Sequence, residues 1–150
     1  MLPNSQTTRT HPIERFFAVF GAIACLIITI LIWLSVSTYQ GIWPLPGLYF
    51  IELIALGVIG AFAFIRSQAY GTLITWSAAG AFTAFSILGA LSVGFFYLPI
   101  VLIFTVISVS ADIRNRQRIA IHLGVWFIAG VAQAALMLAA IQLLTTGKLL

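Results

Sequence analysis

The stretch that decides the fold is Ser67–Ala111, SQAYGTLITWSAAGAFTAFSILGALSVGFFYLPIVLIFTVISVSA, which runs for 45 residues without a charged side chain. One continuous helix of that length would extend roughly 67 Å, more than twice the roughly 30 Å hydrocarbon thickness of a bilayer. The stretch therefore has to cross a membrane twice. The break is best placed at Leu91–Gly94, because Gly94 permits a chain reversal and Pro99 is tolerated in the first turn of the next helix. The sequence predicts an antiparallel transmembrane hairpin over residues 71–91 and 95–111.

Composition places the whole chain in the membrane class. Hydrophobic residues make up 62% of the sequence and charged residues 7%, and the mean hydropathy is +1.15. A water-soluble globule of 150 residues with this balance would expose large apolar patches. No polar segment is long enough for an extramembrane domain. We therefore expect an all-α membrane protein, with residues 1–150 forming a single multi-pass domain and no soluble domain.

Three more apolar runs complete the predicted architecture. They cover about residues 16–36, 47–65 and 120–144. The first is longer than the 7 to 15 residues usual for a signal-peptide core, so we expect it to remain as a span, and the last is long enough to cross with tilt. Together with the hairpin, these runs predict a bundle of five transmembrane helices.

The positive charges predict an orientation. With the N-terminus inside, a single basic residue, Lys148, falls outside, and the positive-inside rule favours this arrangement. A four-span alternative would put the arginine loop on the same side as the uncharged loop Ser35–Gly47. Arginines at the ends of apolar runs fit an orientation signal better than nucleic-acid binding, despite the net charge of +4. We expect a multi-pass protein of the cell (plasma or inner) membrane, N-terminus in and C-terminus out, with these residues inside: Arg9, Arg15, Arg66, Arg114, Arg116 and Arg118.

Small residues recur four positions apart along the predicted spans. Lipid removes the hydrophobic drive for helix association, so close packing of small residues has to hold the helices together. This spacing predicts bundle packing, and a dedicated dimerisation face is the alternative. Phe82, by contrast, is expected to face lipid. The small pairs are Gly57 with Ala61, Gly80 with Ala84, Gly130 with Ala134, and Ala135 with Ala139.

Glu52 is the sharpest polar feature, because a carboxylate inside an apolar span is costly unless it is protonated, paired or facing water. It lies about six residues from Pro46, which places it near the outer interface. We expect a structural role, with a hydrogen bond to Tyr97, Gln142 or a loop backbone. A proton or substrate role is the alternative.

Two other sets of intramembrane polar residues are candidates. Gln133 lies near the middle of the fifth span and should bond to another helix. Thr105, Ser108 and Asp112 share one face of the fourth span and form a polar stripe that leads to the basic loop Arg114–Arg118. We interpret this stripe as packing, because Thr and Ser commonly bond back to their own helix.

Residues for cofactor chemistry are sparse. Cys25 is the single cysteine, so no intrachain disulfide or CxxC pair can form. His11 and His122 lie near the cytoplasmic interface and not at membrane depth, where a facing pair would be needed to hold haem. The sequence contains no nucleophile constellation, Gly-rich phosphate loop or metal-spaced cluster. We expect no cofactor, no metal and no enzymatic activity.

Small bundles of this kind are often accessory or organising subunits. We therefore expect an accessory or structural subunit that acts through helix–helix contacts with a larger membrane complex. Its partners would be membrane lipids and other membrane subunits, or a second copy of the chain. The alternative is a small oligomeric transporter or channel that uses Glu52 and Gln133. A pathway would gather polar side chains on facing helix sides, whereas an accessory subunit would bury them locally and present a small-residue face.

The charge distribution yields a topology prediction. A reporter that is active only in the cytoplasm, fused after Leu150, should give no signal, because five crossings carry the C-terminus outside. A bright C-terminal fusion would mean an even number of crossings and would rule out the five-span arrangement.

Overall fold

The computed structural model describes residues 12–37, 47–66, 68–90, 93–115 and 118–146, without the side chains of residues 68, 69, 144 and 145. This part of the chain is all helical and contains no strand. The prediction of five helices long and apolar enough to span a membrane is confirmed. The helices are α1 (Pro12–Ser37), α2 (Gly47–Arg66), α3 (Gln68–Leu88), α4 (Leu98–Asn115) and α5 (Ile119–Thr145), with a short 3₁₀ helix over Gly94–Tyr97 before α4.

The helix ends differ from the predicted spans by a few residues. α1 begins at Pro12, four positions before the predicted start, because proline is compatible with a first helical turn and Glu14 there favours the positive end of the helix dipole. α3 begins three positions early and ends at Leu88. α4 continues to Asn115, beyond the predicted end at residue 111. Hydropathy marks the apolar part of a helix, whereas the hydrogen-bonded helix continues into its polar ends.

Two glycines shape the turn between α3 and α4. The Gly89 N–H donates to the Phe85 carbonyl at 2.8 Å, and the Gly94 N–H donates to the Gly89 carbonyl at 2.7 Å. A Cβ atom on Gly94 would lie 2.6 Å from the Gly89 carbonyl carbon, so the two backbones meet at a distance that only glycine allows. The predicted break at residues 91–94 overlaps this turn, and residues 91 and 92 lie outside the described residues.

α3 is the central helix. It packs against α2, α4 and α5, while α1 packs against α2 and α4. In the most apolar segment of each helix, 67% of the α3 residues are buried but only 11% of the α5 residues. α5 therefore lies at the edge of the bundle and contacts the rest mainly through α3.

The described arginines lie at one end of the bundle, which we call the arginine end. There Ala18, Phe64 and Ala111 pack together, bringing the start of α1, the end of α2 and the end of α4 side by side. The described arginines at these helix ends are Arg15, Arg66, Arg114 and Arg118.

Aromatic rings fill the core between α3 and α4. Phe82 stacks on Tyr97 and on Phe104, with ring centroids 6.3 and 5.8 Å apart, and Phe85 meets Tyr97 edge to face at 5.2 Å. Phe82 is 0% exposed, so the expectation that it faces lipid is wrong. Its helix is surrounded on three sides by other helices, which the sequence of α3 by itself does not reveal.

α3 and α5 cross at direct backbone contact. A Cβ atom on Gly80 would lie 2.1 Å from the Trp126 carbonyl oxygen, and one on Gly130 would lie 3.2 Å from the Gly80 carbonyl oxygen. α1 and α2 approach through Gly57, whose added Cβ would lie 3.2 Å from the Cys25 sulfur. Ala61 is buried against α1 and α4, and Ala84 and Ala134 line the groove beside the α3–α5 crossing. Ala135 and Ala139, the remaining predicted pair, are exposed and take no part in these contacts.

The crossing predicts a large difference between two glycine-to-alanine variants. Gly80→Ala should lower the free energy of unfolding in detergent by about 1–3 kcal/mol, because the new methyl group meets backbone atoms that have to move apart. Gly124→Ala is the matched control, since an added Cβ there has nothing within 4 Å. Thermal unfolding of the two purified variants measures the difference. Equal midpoints would show that α5 does not cross α3 through Gly80.

Candidate functional site

The main polar cluster of the described residues centres on Asp112, near the end of α4. Its side chain is 0% exposed. The Oδ2 atom accepts a hydrogen bond from the Trp76 indole nitrogen at 2.9 Å and pairs with His122 Nδ1 at 2.8 Å. Trp76 belongs to α3 and His122 to α5, so one carboxylate oxygen links three helices.

The second oxygen of this carboxylate is unused. Oδ1 is buried and has no hydrogen-bond partner among the described residues. A buried carboxylate is tolerated only when it is paired or hydrogen-bonded, and Trp76 and His122 provide those partners on the Oδ2 side of Asp112. One oxygen therefore holds helices together, and the other is an acceptor that no described side chain satisfies.

Hydroxyl groups extend the cluster along the interface between α3 and α4. Ser108 Oγ donates to Thr75 Oγ1 at 2.7 Å, and Thr75 Oγ1 donates to the Thr72 carbonyl at 2.9 Å. Thr105, the third member of the predicted stripe, is only half-buried and lies outside the cluster. The stripe thus divides: Ser108 and Asp112 bond across to another helix, which is a stronger arrangement than the back-bonding we expected.

A separate hydrogen-bonded group joins α1, α2 and the start of α4. Thr29 Oγ1 donates to the Cys25 carbonyl at 2.7 Å, so the Tyr97 hydroxyl is the donor in its 2.8 Å bond to Thr29. The Cys25 thiol donates to the Leu53 carbonyl at 3.4 Å. These bonds are local and buried, and Cys25 acts here as a small packing residue.

Glu52 does not make the hydrogen bond to Tyr97 that we considered, because Tyr97 bonds to Thr29. Its carboxylate is half-buried on α2, toward the end of the bundle opposite the arginines, and forms no hydrogen bond or ion pair with a described residue. Gln133 is 6% exposed on α5, and its amide likewise makes no hydrogen bond within the described part of the chain. The structure therefore does not join Glu52 and Gln133 into one polar site.

The basic loop is partly engaged. Arg114 forms an ion pair with Glu14, which connects the end of α4 to the start of α1. Arg118 is exposed, and Arg116 lies outside the described residues, as do Arg9, His11 and Lys148.

Sequence reasoning missed three participants: His122, Trp76 and Glu14. Asp112 and His122 are ten positions apart, one at the end of a span and the other at the start of the next, so a short connection brings them together. The ten-position spacing in the sequence indicates that these two side chains lie close together. Trp76 carried no such signal, because a tryptophan in an apolar span is usually interpreted as packing. Glu14 precedes the predicted first span at residues 16–36, and the structure places it in the first turn of α1.

The Asp112 cluster can hold α3, α4 and α5 in register. Among the described residues, no three His, Cys, Asp or Glu side chains are grouped closely enough to hold a metal ion. The chemistry that the geometry supports is therefore hydrogen bonding between helices.

The cluster predicts that Asp112 matters more for stability than Glu52. Asp112→Leu should lower the free energy of unfolding by about 1–3 kcal/mol, because it leaves the Trp76 and His122 donors buried and unpaired. Glu52→Leu is the matched control, and it should cost less, since no described donor loses its acceptor. Chemical or thermal unfolding in detergent gives both values. A Glu52→Leu cost equal to that of Asp112→Leu would contradict this assignment.

Comparison with known proteins adds no relative to this description. No protein-family model, curated protein or solved structure matches the chain. The function proposed below is argued from the residues and their geometry.

Proposed function

We propose that the chain is a multi-pass protein of the cell (plasma or inner) membrane that serves as an accessory or structural subunit. It would act through helix–helix contacts with a larger membrane complex and carry out no chemistry of its own. Its N-terminus and the Arg114–Arg118 loop would face the cytoplasm. The five long apolar helices support membrane insertion, and the arginine end supports this orientation.

The observation that carries the proposal is the outward face of α5. At 100° per residue, Gly124, Ala132, Ala135 and Ala139 fall within an arc of about 80°. All four are exposed, and Gly124 has nothing within 4 Å of an added Cβ. This face lies opposite the Gly130 side that packs on α3. Ile121 and Ile128 fall in the same arc and are also exposed, so the small side chains that would let another transmembrane helix approach closely are concentrated at Ala132, Ala135 and Ala139.

The polar side chains favour this function over transport. Ser108, Thr75 and one carboxylate oxygen of Asp112 are hydrogen-bonded locally near the arginine end, and Thr29 bonds with Tyr97. The groove of about 240 Å³ beside the α3–α5 crossing is lined almost entirely by apolar and small side chains, without Glu52 or Gln133. A transport path would instead align polar groups along a continuous cavity.

Site-specific crosslinking in cells tests the proposal. A photoreactive residue at Ala135 should form an adduct with one defined membrane protein, whereas the same probe at Ile23 should not. Ile23 is the control because it is 52% exposed on α1, away from α5. Ala135→Trp should remove the partner from the purified complex, while Ile23→Trp should leave it bound, and both variants should keep the wild-type thermal midpoint.

The other outcomes assign the face differently. An adduct of twice the chain mass would identify a second copy as the partner. Adducts with lipid alone at both positions would contradict a dedicated protein-binding face. Loss of a cellular phenotype in a well-folded Glu52→Gln variant would favour the transporter alternative, because that change removes ionisation and little else.

A further inference from the structure

A second groove lies on the bundle surface between α2 and α3, at the arginine end. Its volume is about 410 Å³. Five of its lining residues are apolar or small, namely Val58, Ile59, Phe62, Ala63 and Ile74, and two carry polar groups at the rim, namely Arg66 and Tyr70.

The apolar wall has the form of a chain-binding channel. From Val58 to Arg66 the wall follows α2 for eight residues, which corresponds to about 12 Å at the helical rise. Val58 and Phe62 are 48% and 59% exposed, so their apolar surface is not covered by another described helix. One alkyl chain lying along α2 would cover this surface.

The rim of the groove favours an anion. The Arg66 guanidinium carbon lies 5.7 Å from the Phe62 ring centroid, and this cation–π contact holds the head group over the groove. Stacking leaves the N–H edge of a guanidinium available for a bidentate acceptor. No described carboxylate forms an ion pair with Arg66. Tyr70 is 75% exposed, and its hydroxyl is a further donor at the same rim.

The helix ends add to this charge. α3 begins at Gln68, two positions after Arg66 in the sequence. The positive end of the α3 dipole therefore lies at the same rim. A phosphate group carries the charge and the oxygen geometry that a guanidinium fork and a hydroxyl donor recognise.

The groove between α1 and α4 provides a contrast. It also has apolar walls, including Phe17 and Val106, but its polar lining residue is Glu14, which pairs with Arg114. The positive charge at that groove is already neutralised within the chain. Only the α2–α3 groove of these two combines an apolar channel with an arginine that no described carboxylate pairs with.

We propose that the α2–α3 groove binds an anionic phospholipid of the leaflet at the arginine end. One acyl chain lies along Val58, Phe62, Ala63 and Ile74, and the phosphate accepts hydrogen bonds from Arg66 and Tyr70. This inference rests on the proposed membrane insertion and orientation. Such a groove would give the chain a preference for acidic lipids. Other membrane proteins obtain this preference from basic pockets at the cytoplasmic ends of their helices.

Native mass spectrometry of the full chain in nonionic detergent tests the proposal, with phosphatidylglycerol and phosphatidylcholine of equal chain length as probes. The wild type should bind phosphatidylglycerol more tightly. Arg66→Gln should weaken phosphatidylglycerol binding about fivefold, the value of one arginine near a lipid surface, and weaken phosphatidylcholine binding less, because the choline cation already offsets the charge of its phosphate. Arg118→Gln is the control, because it removes the same charge from an exposed position at the same end, outside the groove lining.

Two further variants separate the head group from the chain. Val58→Trp should obstruct the channel and weaken both lipids, whereas Ile23→Trp, an equally exposed position outside the groove, should weaken neither. Arg66→Lys should restore part of the phosphatidylglycerol preference, because the charge returns without the planar fork. Unchanged thermal midpoints for all the variants, which sit at exposed positions, show that the fold is intact.

Three results would overturn the proposal. The first is equal wild-type affinity for the two lipids, and the second is equal weakening of phosphatidylglycerol binding by Arg66→Gln and Arg118→Gln. The third is displacement of phosphatidylglycerol by the same concentration of glycerol phosphate, which would show a head-group site without a chain channel. The proposed partner contact would survive any of these results, since the Ala135 adduct depends on another helix. If the chain did not fractionate with membranes, that result would contradict both the lipid site and the partner contact.

Discussion

The backbone contact between Gly80 and the Trp126 carbonyl fixes the position of α5, and the other contacts of that helix depend on it. In a bilayer, moving an apolar side chain from lipid to a helix contact gains little free energy, because lipid tails are equally apolar. Membrane helices therefore stay together through close packing and hydrogen bonds. With the backbones touching at mid-helix, His122 reaches Asp112 near one end of α5 and the Tyr49 hydroxyl reaches the Met137 carbonyl at 3.1 Å near the other. A wider crossing would pull both polar contacts apart.

Packing and polar contacts contribute different things to this bundle. Hydrogen bonds between membrane helices average well under 1 kcal/mol each, because the separated helices also find partners. The bonds from Trp76 and His122 to Asp112 are therefore a small part of the stabilisation. Leaving the Asp112 carboxylate without them is costly, however, since it is fully buried. The cluster thus selects one register of α3, α4 and α5 by penalising every register in which the carboxylate loses its donors.

The part of the fold that sequence predicts is the part governed by composition along the chain. The uncharged stretch over residues 67–111 is too long for one span and predicts two helices, and α3 and α4 are found there. Contacts between helices are not encoded in this way. Phe82 and Leu102 are both large apolar residues in apolar spans, yet Phe82 is 0% and Leu102 is 64% exposed. The difference arises from which helix is central, and hydropathy contains no information on that. The partners of Asp112 were hidden for the same reason, except for His122, which is close in sequence.

The order of helices along the chain has a consequence for biosynthesis. α5 is made after the other four described helices, yet it docks mainly on α3 and not on its sequence neighbour α4. While a membrane protein is being synthesised from its N-terminus, earlier helices assemble first. The side of α3 that bears Gly80 must then stay open until α5 arrives, and Asp112 must wait for His122 with Trp76 as its donor. A nascent chain that has completed α4 but not α5 therefore carries a partly satisfied carboxylate and an uncovered glycine face, and the docking of α5 covers both.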